Sequence, residues 1–217
     1  DAATGDPHVR AIVLRSGKRG SFLVGANIDF VRAVRFARDA EEASREVARR
    51  FGRLATNAKP VVAYVDGPAL GGGFELALSC AACVSTDDAR TAFGLPEVKL
   101  GLIPAANGLF RVAERAGARV ALDLGITGKS IRPDEALGLG LVDEVVPAPI
   151  GLEAASRLAL RLANERELGR TLARRRLRRS RSLERLVFER TPLGRAVLFR
   201  RARAELRAKT RGHYPAA

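Results

Sequence analysis

The stretch "GPALGGGFELALSCAACV", residues 67–84, has three consecutive glycines directly before an apolar run that contains one acid, Glu75. Glycine loses much chain entropy on folding, and a carboxylate in an apolar segment loses solvation. A helix that begins at the glycines would be apolar on every side, so we expect it to be buried. The stretch therefore predicts a buried helix over about residues 72–82, with Glu75 in its first turn.

Two interpretations of this helix start remain open from the residues alone. An acid near a helix N-terminus is stabilised by about 0.3–1 kcal/mol, which accounts for Glu75 but not for the glycines. Alternatively, Gly71, Gly72 and Gly73 let the backbone approach another group closely, and the free N–H groups form an oxyanion site. A packing role and an oxyanion role are about equally supported.

A second acid, Glu97, follows a proline in the otherwise apolar stretch "FGLPEVKLGLIPAANG", residues 93–108. One interpretation is a loop carboxylate that pairs with the nearby Lys99. In the other, Glu75 and Glu97 flank a substrate and divide acid and base work between them. Burial would raise the pKa of both groups toward the working range.

The rest of the chain alternates between extended and helical patterns. We expect strands near residues 9–14, 21–28, 61–65, 84–86, 91–93 and 142–146. We expect helices near residues 30–54, 72–82, 120–128, 133–141 and beyond 150. This alternation predicts the α/β class.

Few residues are available for metal or nucleophilic chemistry. The chain has two cysteines, Cys80 and Cys83, and two histidines, His8 and His213, which lie near the two ends. The cysteines fit small buried residues on an alanine-rich helix better than a redox or metal pair. The scarcity of histidine disfavours a histidine-activated serine or cysteine nucleophile. We therefore expect no metal site.

The sequence contains no membrane or secretion signal. No run approaches the roughly 18–20 apolar residues that a bilayer span requires. The first ten residues lack the basic, apolar and small-residue order of a secretory signal. We accordingly expect a cytoplasmic protein without a membrane span.

Charge divides the chain into two regions. Residues 1–150 carry 19 Lys and Arg against 18 Asp and Glu, a net charge of +1, whereas residues 151–217 carry 19 against 6, a net charge of +13. The segment 170–190 is especially rich in arginine, and such charge could contact nucleic acid or an acidic partner. Phe188 is its only aromatic residue, which disfavours base stacking. A solvated helical tail that packs its leucines and valines on the core is the preferred interpretation.

Five blocks resemble, in order, the crotonase or enoyl-CoA hydratase/isomerase superfamily. They are "SFLVGANI", "GPALGGGFELALSC", "TAFGLPEVKLGLIP", "ALDLGITGKSIRPDEALGLGLVDEVVP" and "TPLGRAVLF…KTRGHYPA". The middle three are specific, and the last block resembles the multifunctional fatty-acid-oxidation α-subunit, in which a hydratase domain comes first. The resemblance implies a ββα-spiral fold with a C-terminal helical region. It also implies assembly through trimers or in a complex with a thiolase subunit.

The resemblance implies two regions in this chain. Residues 1–150 would form the crotonase core, whose N-terminal edge strand would precede Asp1. Residues 151–217 would form an arginine-rich helical region that leads toward a dehydrogenase domain absent from this sequence.

The resemblance also implies site residues and a reaction. The two oxyanion-hole amides fall on Ala26 and Gly72, and the two catalytic glutamates fall on Glu75 and Glu97. The implied lyase reaction is syn addition of water to a trans-2-enoyl-CoA in fatty-acid β-oxidation, with Δ3–Δ2 enoyl-CoA isomerisation as a second activity. Coenzyme A enters as the substrate's thioester, and no separate cofactor is expected. The substrate-binding positions are Leu23, Val24, Asn27, Ile28, Gly71, Gly73, Leu95, Pro96 and Ala105.

The chain departs from the family's pattern at the loop after Pro104. Ala105 and Asn107 occupy positions where the family has glycine, so we expect an altered loop, with the Ala105 N–H still able to hold the catalytic water.

Two functions other than hydration stay open. One is a non-catalytic scaffold that binds acyl-CoA. The other is binding of nucleic acid or an acidic partner by the basic region, of which nucleic acid is the less favoured.

Overall fold

The computed structural model describes residues 2–25, 35–167 and 191–210. Within them the α/β class is confirmed. The strands are β1 Ile12–Arg15, β2 Leu23–Val24, β3 Val61–Val65, β4 Ala69–Leu70, β5 Ala82–Thr86, β6 Phe93–Gly94, β7 Ser130–Ile131 and β8 Glu144–Val146. The α-helices are α1 Ala2–Gly5, α2 Ala37–Ala55, α3 Gly72–Ser79, α4 Gly108–Ala116, α5 Ala118–Thr127, α6 Pro133–Gly138, α7 Gly151–Glu167 and α8 Pro192–Thr210. Two 3₁₀ helices cover Pro96–Leu100 and Ala148–Ile150.

The strands form two four-stranded sheets. One has the order β1-β3-β5-β8 and is parallel throughout. The other has the order β2-β4-β6-β7, in which only the β6–β7 pair is antiparallel. Chain segments pass repeatedly from one sheet to the other, so β3 is followed by β4 and then by α3. The start of α3 therefore lies at the C-terminal end of β4 and beside β2.

The central strand β3 is apolar because both of its faces are covered. All five residues of Val61–Val65 are buried, as expected for a parallel strand packed on both sides. Val61, Ala63 and Val65 belong to the same apolar cluster as Phe74 and Leu78 of α3. The alternate residues of β3 belong to a second cluster with α7. The first sheet therefore lies between α3 and α7.

The predicted helix over residues 72–82 is wrong at its C-terminal end. Helix α3 ends at Ser79, and Cys80 has extended backbone angles, φ −75° and ψ 158°. The Ala81 N–H then donates to the Val61 carbonyl at 2.8 Å, and β5 pairs with β3 from Ala82 onward. Sheet pairing thus outweighs the high helix propensity of the alanines. Both cysteines are buried and free, as expected, but Cys83 lies on a strand.

The other predicted elements are confirmed with shifted bounds. Residues 9–14 predicted a strand that the structure has at Ile12–Arg15, and residues 30–54 predicted a helix that it has at Ala37–Ala55. Residues 133–141 predicted a helix that already ends at Gly138. The end of the strand predicted at residues 21–28 and the start of the helix predicted at residues 30–54 lie outside the described residues, which omit 26–34. The elements' types are therefore more predictable than their ends.

Helix α7 begins just after the boundary predicted at residue 150, and it packs on the first sheet. Ala154, Ala155, Leu158, Ala159 and Leu162 are buried against Val62, Tyr64, Ala82 and Val84. In α8, Leu198 is 9% exposed, whereas Leu193 is 79% exposed. The arginine-rich segment 170–190 lies outside the described residues, so its role stays a prediction.

Two absences apply to the described part of the chain. Its helices are all too short or too polar to cross a membrane. Within the same residues no three His, Cys, Asp or Glu side chains cluster as a metal site would require.

Candidate active site

Glu75 lies in the first turn of α3 and is only 2% exposed. Its Oε1 atom accepts hydrogen bonds from the backbone N–H groups of Ala106 and Gly108, each at 2.8 Å. No other hydrogen bond to this carboxyl group is found among the described residues. Burial raises the pKa of Glu75, while the two amides and the Arg111 charge oppose that rise. The carboxyl group is therefore anchored through one oxygen.

The segment that supplies these amides has an unusual backbone. Asn107 is the one non-glycine residue with positive φ in the described chain, at 68°. Its left-handed conformation precedes α4, which begins at Gly108. A Cβ atom on Gly108 would lie 2.7 Å from Cγ of Glu75. Gly108 is therefore required by the close approach of α4 to the acid.

Glu97 lies on the 3₁₀ helix Pro96–Leu100. Its Oε2 atom is buried and has no hydrogen-bond partner among the described residues. Burial, together with the negative charge of Glu75, raises the pKa of Glu97 to about 7, and its own backbone N–H opposes the rise. Glu97 forms no ion pair with Lys99, so the alternative of a paired surface carboxylate is not observed. The two acids are close enough for the charge of one to affect the other.

Each glycine in the run 71–73 has its own environment. Gly71 has φ 55° and ψ −128°, and its N–H donates to the Gly94 carbonyl at 2.9 Å. A Cβ atom on Gly71 would lie 2.8 Å from Oε1 of Glu97, and one on Gly73 would collide with the Leu23 carbonyl oxygen. A side chain on either residue would therefore displace Glu97 or β2.

Gly72 differs from its two neighbours. It is the first residue of α3, and a Cβ atom there would have no heavy atom within 4 Å. Its N–H makes no hydrogen bond to any described residue, as is usual for the first turn of a helix. This amide is available to an acceptor from outside the described chain, such as a polarised carbonyl oxygen.

The remaining predicted site residues have different degrees of exposure. Leu23 and Val24, on β2, are 41% and 56% exposed, whereas Leu95 is fully buried in the core. Pro96 is half-buried and Ala105 is exposed. The predicted positions Ala26, Asn27 and Ile28 lie outside the described residues.

Three contacts of the site were not predicted from the sequence. The amides of Ala106 and Gly108 hold Glu75, and the hydroxyl of Ser44 donates to the Ala105 carbonyl at 2.7 Å. Gly108 directly after Asn107 is the one local signal for a tight backbone approach. Nothing in the sequence around Ser44 indicates a partner 61 residues away.

The chain has clear relatives among known proteins. It is 43% identical over 211 residues to the fatty acid oxidation complex subunit alpha of Shewanella putrefaciens, covering 97% of this chain and 28% of that protein. The corresponding subunit of Shewanella loihica is 41% identical over 214 residues, with the same coverage. The chain thus spans a little over a quarter of the length of these relatives.

Solved structures share the fold. An enoyl-CoA hydratase from Geobacillus kaustophilus superposes with a TM-score of 0.71 at 28% identity, covering 98% of this chain and 76% of that one. An enoyl-CoA hydratase from Bacillus anthracis has a TM-score of 0.69 at 24% identity, covering 94% and 76%, and supports the fold alone. The crotonase-type fold expected from the sequence is thereby confirmed.

A sequence profile of a protein family also matches most of the chain. The profile described as Enoyl-CoA hydratase/isomerase matches residues 1–191, a span that includes Glu75, Glu97 and the glycine run. Together with the relatives and the shared fold, this match identifies the chain as a member of the enoyl-CoA hydratase/isomerase family.

Proposed function

We propose that this chain adds water across the double bond of a trans-2-enoyl-CoA. The observation that supports this reaction best is the pair of acids: Glu75 is buried and anchored by two amides, and Glu97 is half-buried, with a buried oxygen that has no partner among the described residues. Such a pair, whose surroundings differ, is suited to dividing base and acid work. The shared family and its hydratase members agree with this choice of reaction.

Glu75 is the proposed base. Its Oε1 is occupied by the two amides, which favour the ionised form and leave the other oxygen to take a proton from water. Glu97 is the proposed acid, because a pKa of about 7 keeps a large fraction protonated at neutral pH. Water gives a proton to Glu75 and its oxygen to the β-carbon, while Glu97 gives a proton to the α-carbon. Proton exchange with solvent restores both groups.

The thioester oxygen gains negative charge in this reaction. We assign its stabilisation to the N–H of Gly72 and, from the family's pattern, to that of Ala26. Losing one donor of this kind typically raises the barrier by about 2.7–4 kcal/mol. The substrate would then lie along the predicted binding residues of β2, the glycine run and the start of the 3₁₀ helix, and no cofactor is required.

Two further assignments follow from the relatives. Because the Shewanella proteins are alpha subunits of a fatty acid oxidation complex, we assign this chain to fatty acid oxidation and to assembly with other subunits or copies. Migration of a double bond from the 3- to the 2-position also passes through an oxyanion and needs proton transfer at carbon. The same acids could serve it, so isomerisation is the second candidate activity.

The test is hydration of crotonyl-CoA by the complete protein, followed as loss of enoyl-thioester absorbance. Glu75→Gln and Glu97→Gln should each lower kcat by about 10²–10⁴-fold, the usual contribution of a general acid or base. Glu153→Gln removes an exposed acid on α7 and serves as the matched control. Activity should fall as the pH rises above about 7, because Glu97 then loses the proton it must donate.

Specific results would contradict the proposal. A folded wild-type protein that turns over no enoyl-CoA of any chain length would not be a hydratase. Acyl-CoA binding without turnover would instead support the scaffold function. Full activity in either glutamine variant would remove that acid from the mechanism.

A further inference from the structure

We propose that Ser44 is a positioning residue that holds the peptide group on which Glu75 depends. The inference rests on the proposed function for its kinetic consequence, but the contact itself is structural. Ser44 lies in α2 and is half-buried. Its hydroxyl donates to the carbonyl oxygen of Ala105 at 2.7 Å.

The Ala105 carbonyl and the Ala106 N–H are the two ends of one planar peptide group. The hydroxyl of Ser44 binds one end, and the other end donates to Oε1 of Glu75 at 2.8 Å. Rotation of this peptide plane would break both hydrogen bonds at once. Hydrogen bonds in such a chain also polarise one another, so the serine strengthens the amide as a donor to the carboxylate.

Three hydroxyl groups in the longer helices behave differently from that of Ser44. Serine and threonine within helices commonly bond to the carbonyl four residues earlier. Ser79, Ser156 and Thr127 all do so, at 2.7, 2.8 and 2.7 Å respectively. Ser44 instead bonds to a loop 61 residues further along the chain. The hydroxyl therefore contributes a tertiary contact to the site.

The backbone of this loop is unusual, and the contact with Ser44 helps to hold it. The loop lacks glycine at positions 105 and 107, and Asn107 adopts a left-handed backbone conformation that most residues with a Cβ atom disfavour. Ala105 itself is exposed, so apolar packing contributes little to its position. Two attachments, to Ser44 on one side and to Glu75 on the other, set the orientation of the peptide between them.

The experiment compares Ser44→Ala, Ser44→Thr and the control Ser156→Ala in the complete protein. Alanine has a higher helix propensity than serine, so α2 should remain folded. For crotonyl-CoA, we expect Ser44→Ala to lower kcat about three- to tenfold, the range of one hydrogen bond, with KM nearly unchanged. Ser44→Thr keeps the hydroxyl and should retain near wild-type kcat. Ser156→Ala loses a serine–carbonyl bond within α7, which packs on the other face of the first sheet from α3, and should not change kcat.

A second readout does not depend on turnover. The side-chain carboxyl of Glu75, labelled with carbon-13 and assigned by its absence in Glu75→Gln, is titrated by NMR. A weaker amide stabilises the carboxylate less, so the Glu75 pKa should rise in Ser44→Ala and stay unchanged in Ser156→Ala. If kcat and this titration both match the wild type, the inference is overturned. A threonine variant as slow as the alanine variant would also count against the hydroxyl.

The two proposals fail separately. If the wild-type protein has no hydratase activity, the proposed function is wrong, and the carboxyl titration still tests the contact with Ser44. If the wild type is active but Ser44→Ala is unaffected in both measurements, only the positioning role is lost.

Discussion

Glu75 is buried and Glu97 is half-buried, and the hydrogen bonding of their carboxyl groups differs. Burial raises the pKa of both, but in Glu75 two amides compensate for part of the lost hydration. In Glu97 the buried Oε2 has no such compensation among the described residues, and its pKa rises to about 7. This difference separates a carboxyl group suited to ionisation from one suited to carrying a proton.

The uncompensated burial of Glu97 predicts a pH-dependent stability. Its unfolded-state pKa of about 4.5 lies below its folded value of about 7, so the unfolded chain loses its proton first as the pH rises. Glu97 therefore contributes stability fully below about pH 4.5 and loses that contribution as the pH rises through about 7. Glu97→Gln cannot titrate. The Tm of the wild type relative to Glu97→Gln should fall by a few degrees between pH 5 and pH 8.

Thermal unfolding of both proteins at the two pH values checks this expectation. Glu153→Gln, which removes an exposed acid, is the control for general effects of charge. If the Tm difference between wild type and Glu97→Gln is the same at both pH values, burial does not raise the pKa of Glu97 in the folded protein.

At the scale of elements, the site is made by the starts of two helices. Helix α3 begins in the glycine run and carries Glu75, and α4 begins at Gly108 and presents its first amide to that acid. The left-handed Asn107 turns the chain so that the amides on both sides of it, at 106 and 108, point at the same oxygen. Asparagine is one of the few residues other than glycine that readily adopts this conformation, so the loop adopts it without a glycine at position 107.

Asn107 can be tested by paired substitutions. Its side chain makes no capping hydrogen bond, so Asn107→Gly should preserve the backbone and nearly all activity. Asn107→Ala should be less stable than Asn107→Gly by about 1–2 kcal/mol, because alanine has a Cβ atom that is strained at φ 68° and lacks the short polar side chain that lets asparagine adopt this conformation. Urea unfolding measures the difference between the two variants. Equal stabilities for the glycine and alanine variants would show that the positive φ is not needed.

At the scale of the whole molecule, the first sheet is covered on both faces. Helix α3 packs on one face with Phe74 and Leu78, and α7 packs on the other with Leu158 and Leu162. The site therefore lies on an element that is supported by the central sheet, and residues beyond position 150 complete the cover of that sheet.

The contribution of α7 can be measured with two leucines of the same helix. Leu158 is fully buried, whereas Leu160 is 48% exposed. Leu158→Ala should destabilise the fold by about 2–5 kcal/mol, and Leu160→Ala by no more than about 0.5 kcal/mol. Chemical denaturation of the complete protein checks both values. Similar losses for the two variants would contradict the packing of α7 on the sheet.

Local patterns in the sequence were enough to predict the α/β class, most element types and the position of Glu75 in the first turn of a buried helix. The apolar run of β3 and the glycines before Glu75 carry these predictions, because hydrophobic period and backbone freedom act within a few residues. The end of α3 was mispredicted, since it depends on pairing between Ala82 and Val62 of another strand. Where a helix or strand ends therefore depends on contacts with segments that are distant in the sequence.

The sequence by itself determined which residues could do chemistry and which segment would start a buried helix. Only the tertiary structure decided what those residues meet: Glu75 is held by amides 31 and 33 residues away, Gly73 lies against Leu23, and Ser44 reaches the loop after Pro104. The physical reason is that burial and hydrogen-bond partners, which set a carboxyl group's pKa and orientation, come from segments brought together by folding.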